Sequence, residues 1–87
     1  MQTAWHADGS WRAGFPEIAR RQVVSTVIRS MGYGASHAVL EIEFTSGRVY
    51  RYHMVPRRQW SGLQAAGSKG RYFDAHIRQK FPTTRMM

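Results

Sequence analysis

The sequence predicts an α+β domain, a three-stranded antiparallel β-meander followed by two C-terminal helices packed on one face of the sheet. Apolar and polar side chains alternate along residues 39–45 and 48–54, as they do in strands with one buried face. Apolar residues after position 56 recur instead at helical spacing. Strands that precede helices, rather than alternating with them, indicate an antiparallel sheet covered by helices.

The totals fit one small domain of 87 residues without cysteine, so neither disulfides nor thiolate–metal sites stabilise it. The sequence has no apolar run long enough to span a bilayer and no signal-peptide pattern at its start. We therefore expect a soluble, cytoplasmic protein with no cofactor and no membrane partner. We expect a mostly mobile N-terminal arm over residues 1–22, a single domain over residues 23–82, and a frayed tail over residues 83–87.

The first strand is predicted over residues 23–33, where β-branched residues are frequent. Ile28 and Met31 are three positions apart, so both cannot face the core of a regular strand. A β-bulge near Arg29 and Ser30 would bring both side chains onto the same face.

The second and third strands form a hairpin whose register follows from side-chain parity. Leu40 and Ile42 must share the buried face with Tyr50 and Tyr52. A three-residue loop, Thr45–Gly47, satisfies this requirement by pairing Ile42 with Tyr50 and Leu40 with Tyr52. Such a loop needs a left-handed residue at its last position, and that residue is a glycine.

The first helix is predicted over residues 57–66, after Val55-Pro56 ends the third strand. Trp60 and Leu63 face the core. Gly62 lies within the helix and weakens it by about 1 kcal/mol relative to alanine.

The second helix is predicted to begin after Ser68, which is a suitable N-cap. Phe73, Ile77 and Phe81 recur at intervals of four residues and form one apolar face. Pro82 ends the helix.

These segments resemble the KTSC domain, a family named for the C-terminus of some lysyl-tRNA synthetases and found also as small stand-alone bacterial and phage proteins. The resemblance covers residues 24–82, and its hallmark is the central Tyr50-Arg51-Tyr52. Two positions depart from the family pattern, Gly34 in place of Asp and Asp74 in place of Asn. The resemblance implies the α+β fold and a role in RNA binding. It rests on these further motifs: Ser25-Thr26-Val27-Ile28, Gly32-Tyr33, Leu40-Glu41-Ile42-Glu43-Phe44, Gly47, Val55-Pro56, Leu63, Ala66, Ser68-Lys69-Gly70-Arg71-Tyr72-Phe73 and Ile77-Arg78.

The net charge of +8 lies entirely in the second half of the chain. Residues 1–45 balance their arginines against an equal number of acidic side chains, whereas Asp74 is the sole acidic residue after position 45. Most of the basic residues are arginines, whose planar guanidinium groups suit phosphate. This pattern indicates a polyanionic partner, or alternatively a solvated basic surface that aids solubility.

The basic residues of the two helices are the predicted phosphate contacts. The helix dipole disfavours two arginines at the start of the first helix, so an anionic partner would explain them. The segment Ser68–Arg71 offers free N–H groups to an anion, or forms an ordinary helix cap with solvated neighbours. The predicted nucleic-acid-binding residues are Arg57, Arg58, Lys69, Arg71 and Arg78, with Arg51, Ser68 and Gly70 as additional candidates.

We predict no catalytic and no metal-binding residues. Tyr50 and Tyr52 could stack bases, but parity favours the core. Glu41 and Glu43 could hold a metal or form an acid/base pair, but a cross-strand Glu41–Arg51 ion pair on the exposed face is simpler. The histidines show no metal-ligand spacing.

The leading function is a small, non-catalytic nucleic-acid-binding module that contacts phosphates, with RNA favoured over DNA. The alternative is a protein–protein interaction module, such as a phage or bacterial regulator that docks on a larger nucleoprotein machine. Trp5, Trp11 and the arginines would suit such an interface.

Overall fold

The computed structural model describes residues 17–87. They form one antiparallel sheet whose neighbouring strands follow chain order, with both helices inserted between the fourth and fifth strands. The α+β prediction is confirmed, but the sheet has five strands rather than three. The elements are β1 (Arg21–Gln22), β2 (Ile28–Gly34), β3 (Val39–Phe44), β4 (Val49–Tyr52), α1 (Arg57–Ala65), α2 (Lys69–His76) and β5 (Thr83–Arg85).

Both unpredicted strands lie at the edges of the sheet. In β5, Thr83 pairs with Tyr52 and Arg85 pairs with Tyr50, so residues predicted to fray complete the sheet beside β4. The His53 N–H donates to the Pro82 carbonyl at 2.8 Å and guides the chain into this position. A strand of three polar residues carries no apolar alternation, which is why the sequence pattern missed it.

The segment predicted as the start of the first strand is instead a turn between β1 and β2. The Ser25 hydroxyl accepts hydrogen bonds from the N–H groups of Val27 and Ile28, both at 3.1 Å. Such side-chain bonds offer the backbone an alternative to the strand ladder. Val24 is fully exposed. Its β-branched side chain, which favoured a strand in the sequence, therefore does not mark a buried strand position.

The predicted bulge in β2 is confirmed. Ile28 lies opposite Phe44 and Ser30 lies opposite Glu43, which leaves Arg29 as the extra residue. The shift places both Ile28 and Met31 in the core.

The predicted hairpin register is also confirmed. Ile42 lies opposite Tyr50, and Leu40 lies opposite Tyr52. Gly47 has a φ of 94°, as the last position of the loop requires, and its N–H donates to the Phe44 carbonyl at 2.9 Å.

The hydrophobic core lies between the two helices and one face of the sheet. Tyr52 is buried and Tyr50 is half-buried against the core, as parity predicted. Burial raises the pKa of Tyr52 to about 12, with a further upward contribution from Tyr50 and a downward one from the positive charge of Arg78. The side chains with no exposed surface include Ile28, Leu40, Ile42, Val55, Leu63 and Ile77.

The second helix is shorter than predicted, since α2 ends at His76 and the chain turns through Gln79 at a φ of 59°. Phe81 still packs against the core, but from the turn and not from the helix. The two helices approach closely at Gly62, where an added Cβ would lie 2.1 Å from the Tyr72 hydroxyl oxygen. Neither helix is long and apolar enough to cross a membrane.

The second face of the sheet is partly covered by residues 17–20, which precede β1. An added Cβ at Gly32 would lie 2.1 Å from the Ala19 carbonyl oxygen, and one at Gly34 would lie 3.2 Å from the Ile18 side chain. Residues 1–16 of the predicted mobile arm lie outside the described residues. The described part of that arm packs against the sheet at Gly32 and Gly34, because the two glycines leave room for it.

Candidate nucleic-acid interface

An ion-pair network lies on the sheet face opposite the helices. Glu41 accepts from Arg51 Nε at 2.7 Å and from Arg20 Nη1 at 2.6 Å, each through a different carboxylate oxygen. Glu41 and Arg51 are each only 7% exposed. The predicted Glu41–Arg51 pair is therefore present, but it is buried rather than on an exposed face. Arg51, an additional candidate for phosphate contact, is thus committed to this network.

Glu43 is also paired on this face. It accepts from the Ser30 hydroxyl at 2.8 Å, and its other oxygen lies 3.6 Å from Arg29 Nη1. Because both strand carboxylates have close partners, neither is poised as a free acid or base. Within residues 17–87, no cluster of three or more histidine and acidic side chains could hold a metal ion.

The helical side of the domain differs in that several of its arginines have no carboxylate partner among the described residues. Arg57, Arg58 and Arg71 are exposed and form no ion pair with any residue in the described range 17–87. We call these three residues the helical arginine surface. Arg78 lies 3.5 Å from Asp74, but both side chains are 63% exposed, so this pair contributes little and can exchange for another anion.

Lys69 has a structural role that sequence reasoning missed. Its ammonium group donates to the carbonyl oxygens of Gln64 at 3.0 Å and Ala66 at 3.1 Å. These bonds supply donors to carbonyl groups at the C-terminal end of α1, which have no partner within the helix. An ammonium group has three donors, so one remains for a ligand. A lysine three to six residues beyond a helix end is the signal that could have revealed this cap.

The start of α2 is an ordinary capped helix terminus. The Ser68 hydroxyl accepts from the Arg71 N–H at 3.3 Å, as the N-cap prediction required. Gly70 faces Val27, whose nearest side-chain carbon would lie 3.4 Å from an added Cβ. A groove of about 410 Å³ separates residues 24–27 from this terminus, and Lys69 and Arg71 both line it.

The five predicted basic residues therefore all lie on the helical side of the domain, but they do not line a single pocket. Lys69 and Arg71 share the groove. Arg57 and Arg58 lie at the opposite end of α1, about 12 Å along the helix axis from the end that Lys69 caps. Arg78 is close enough to Tyr52 for its charge to act on the phenol.

A second cleft, of about 550 Å³, lies between β1, β2 and α1. Tyr33 and Trp60 line it with stacked rings whose centroids are 5.7 Å apart. Arg21 and Lys69 line the same cleft. Sequence reasoning missed it because its residues come from three separate segments.

The architecture defines a class of protein, a small antiparallel sheet with a pair of helices inserted before its last edge strand. Within that class, the chain belongs to the KTSC domain family, whose model matches residues 24–81. The resemblance inferred from the Tyr-x-Tyr hairpin and its flanking motifs is thereby confirmed.

Several relatives share this domain. The chain is 44% identical over 57 residues to an uncharacterised protein of Stutzerimonas stutzeri, a match that covers 66% of this chain and 80% of that protein. It is 41% identical over 56 residues to a lysine–tRNA ligase of Nostoc punctiforme, covering 64% of this chain and 10% of the ligase. A crystal structure of a KTSC domain protein from Yersinia pestis matches with a TM-score of 0.77 and 38% identity, covering 82% of this chain and all of that one.

Proposed function

We propose that this chain is a small, non-catalytic module that binds RNA through phosphate contacts on its helical side. The carrying observation is which charged side chains have partners on each side of the sheet. On one side, Glu41 and Glu43 are paired with arginines. On the other, the helical arginine surface has no acidic partner among residues 17–87.

Uncompensated arginines on one layer attract a polyanion and can meet its phosphates through paired N–H donors. Two of these arginines stand at the start of α1, where they oppose the helix dipole and gain nothing from the fold itself. A phosphate bound there would be stabilised both by the guanidinium groups and by the free N–H groups of the first helical turn.

RNA is the favoured ligand because the relatives include segments of lysine–tRNA ligases, enzymes named for a tRNA substrate. The proposal accordingly includes a cytoplasmic location. The contacts are to phosphate, so we expect weak dependence on base sequence and a strong dependence on salt.

A charge-reversal experiment tests the proposal. Fluorescence anisotropy would measure the binding of labelled single-stranded RNA, duplex RNA and duplex DNA to the wild-type chain and to Arg57→Glu/Arg58→Glu. The matched control is Arg48→Glu/Arg85→Glu, which changes the net charge equally at exposed positions in the sheet hairpin and in β5. We expect the first variant to bind RNA roughly 10-fold or more weakly than the control, because two attractive contacts become repulsive.

The folded state should survive this change. Acidic side chains in the first turn of a helix interact favourably with its dipole, by about 0.3–1 kcal/mol each. Equal weakening by the two double variants would contradict the assignment to the helical side. Absence of wild-type binding to all three nucleic acids at low salt would contradict the proposed function and would favour a protein partner.

A further inference from the structure

The second cleft has the dimensions of a small-ligand site. Its volume of about 550 Å³ falls within the range of about 300–1,000 Å³ that such sites occupy. Buried Met31 and Gly32 contribute to its lining from the sheet. The side chains that can recognise a ligand are Arg21, Gln22, Tyr33, Trp60, Gln64 and Lys69.

An aromatic pair forms one wall of this cleft. The rings of Tyr33 and Trp60 are nearly parallel, at 13° to each other. The Tyr33 hydroxyl donates to the Val55 carbonyl at 2.6 Å, which fixes the ring. Both residues are half-buried and both line the cleft, so the pair offers a rigid aromatic surface to a flat ligand.

Polar groups of two kinds accompany the aromatic wall. Gln22 and Gln64 each carry an amide that can both donate and accept, as recognition of a base edge requires. Arg21 is exposed and has no ion pair within the described range 17–87, and Lys69 retains one donor. A free phosphate would use the cations but not the rings, whereas a nucleotide would use all three kinds of group.

Lys69 connects this cleft to the groove at the start of α2, since its side chain lines both. Arg71 lines that groove as well, together with Asp74, which pairs with Arg78. A nucleic-acid strand that passes Lys69 would therefore place one unit in the cleft and direct its backbone toward the helical arginine surface. This continuity favours a strand over an isolated nucleotide.

We infer that the cleft binds one unstacked base of single-stranded RNA, with its ring on the free outer face of the Tyr33–Trp60 stack and its phosphate beside Arg21 and Lys69. The inference rests on the proposed function and deepens it, because it gives the ligand as a single strand. Base stacking on aromatic side chains tolerates all four bases, so the site provides affinity with little sequence preference.

The test compares two ligands of equal phosphate content. A short oligouridylate RNA and an abasic ribose-phosphate chain of the same length are titrated into the full chain, and the Trp60 indole N–H and Gln64 amide resonances are followed by NMR. We expect the RNA to shift both resonances and the abasic chain to leave them unmoved. The abasic chain should also bind about 5- to 150-fold more weakly, the loss that removal of one stacked base produces.

A pair of variants provides a second readout. Gln64→Ala should weaken RNA binding without changing the affinity for the abasic chain, because the amide contacts only the base. Ser61→Ala, an exposed change on the same helix outside the cleft, should alter neither affinity.

The outcomes separate the two claims. RNA that shifts the resonances of Arg57, Arg58 and Arg71 but leaves Trp60 and Gln64 unmoved would overturn the base site and preserve the proposed function. RNA that shifts no resonance would overturn both. A third titration uses a control peptide that is acidic or aromatic. If only this peptide shifts the Trp60 and Gln64 resonances, the nucleotide assignment is overturned in favour of a protein ligand.

Discussion

The substitution Gly62→Ala tests the packing between the two helices, and the sign of its effect is the informative quantity. In an isolated helix this change stabilises by about 1 kcal/mol, because alanine has the higher helix propensity. In this domain, the added Cβ would lie 2.1 Å from the Tyr72 hydroxyl oxygen and 2.5 Å from the ring carbon that carries it. No real contact is that short, so the tyrosine must move.

Two costs follow from that movement. Displacing a packed ring costs about 1–3 kcal/mol. The Tyr72 hydroxyl also donates to the Gln59 side-chain oxygen at 2.6 Å, and losing that bond adds about 0.5–1.5 kcal/mol. After the gain in propensity is subtracted, we expect Gly62→Ala to lower the free energy of unfolding by about 2 kcal/mol. For a domain of this size, the melting temperature should fall by roughly 10 °C.

The assay is urea denaturation followed by circular dichroism for the variants Gly62→Ala, Tyr72→Ala and their combination. Adding Gly62→Ala to a chain that already carries Tyr72→Ala should stabilise by up to about 1 kcal/mol, because the clash is gone and propensity alone remains. Ser61→Ala serves as the neutral control on the same helix. A stabilising Gly62→Ala in the wild-type background would refute the close approach of the helices.

Three further predictions concern the sheet. Glu41→Ala should destabilise by about 3–5 kcal/mol in urea denaturation, because Arg51 would remain buried without its carboxylate; a loss below about 1 kcal/mol would contradict a buried network. Gly32→Ala should displace the segment at Ala19, because the new Cβ would overlap the Ala19 carbonyl unless that backbone moves, and should speed amide exchange of Val23, whose N–H donates to the Arg29 carbonyl at 3.1 Å; unchanged exchange would show that the segment does not cross this glycine. Burial raises the pKa of Tyr52 from 10.0 to about 12. The stability that the protonated Tyr52 phenol contributes should therefore be fully present below pH 10 and should be lost as the pH rises toward 12. Tyr52→Phe should abolish that part of the alkaline loss, as measured by thermal melts across this pH range.

The parts of the fold that the sequence predicted are those that depend on local patterns. The hairpin register follows from alternation within two neighbouring strands and from a glycine at one loop position, and Ile42 does pair with Tyr50. The bulge follows from the three-residue spacing of Ile28 and Met31, because two residues at that spacing cannot both face the core in a regular strand. Each inference needs only residues close together in the chain.

The parts that escaped prediction depend on contacts between distant segments. The edge strands β1 and β5 are too short and polar to show a period, and each exists because a neighbouring strand offers unpaired backbone groups. Glu41 was expected to face solvent with Arg51, but Arg20 covers it from 21 residues away. The same limit applies to the candidate site: the sequence predicts Lys69 as a phosphate contact but does not show that its ammonium group caps α1.

The most direct test of the RNA-binding proposal is the salt dependence of binding to single-stranded RNA. If Arg57, Arg58, Lys69, Arg71 and Arg78 each contact a phosphate, log K should fall against log salt concentration with a slope of about −3.5. Affinity should then drop roughly 100-fold between about 50 and about 200 mM salt. A slope near zero, with affinity unchanged across that range, would contradict a phosphate-binding role for these residues.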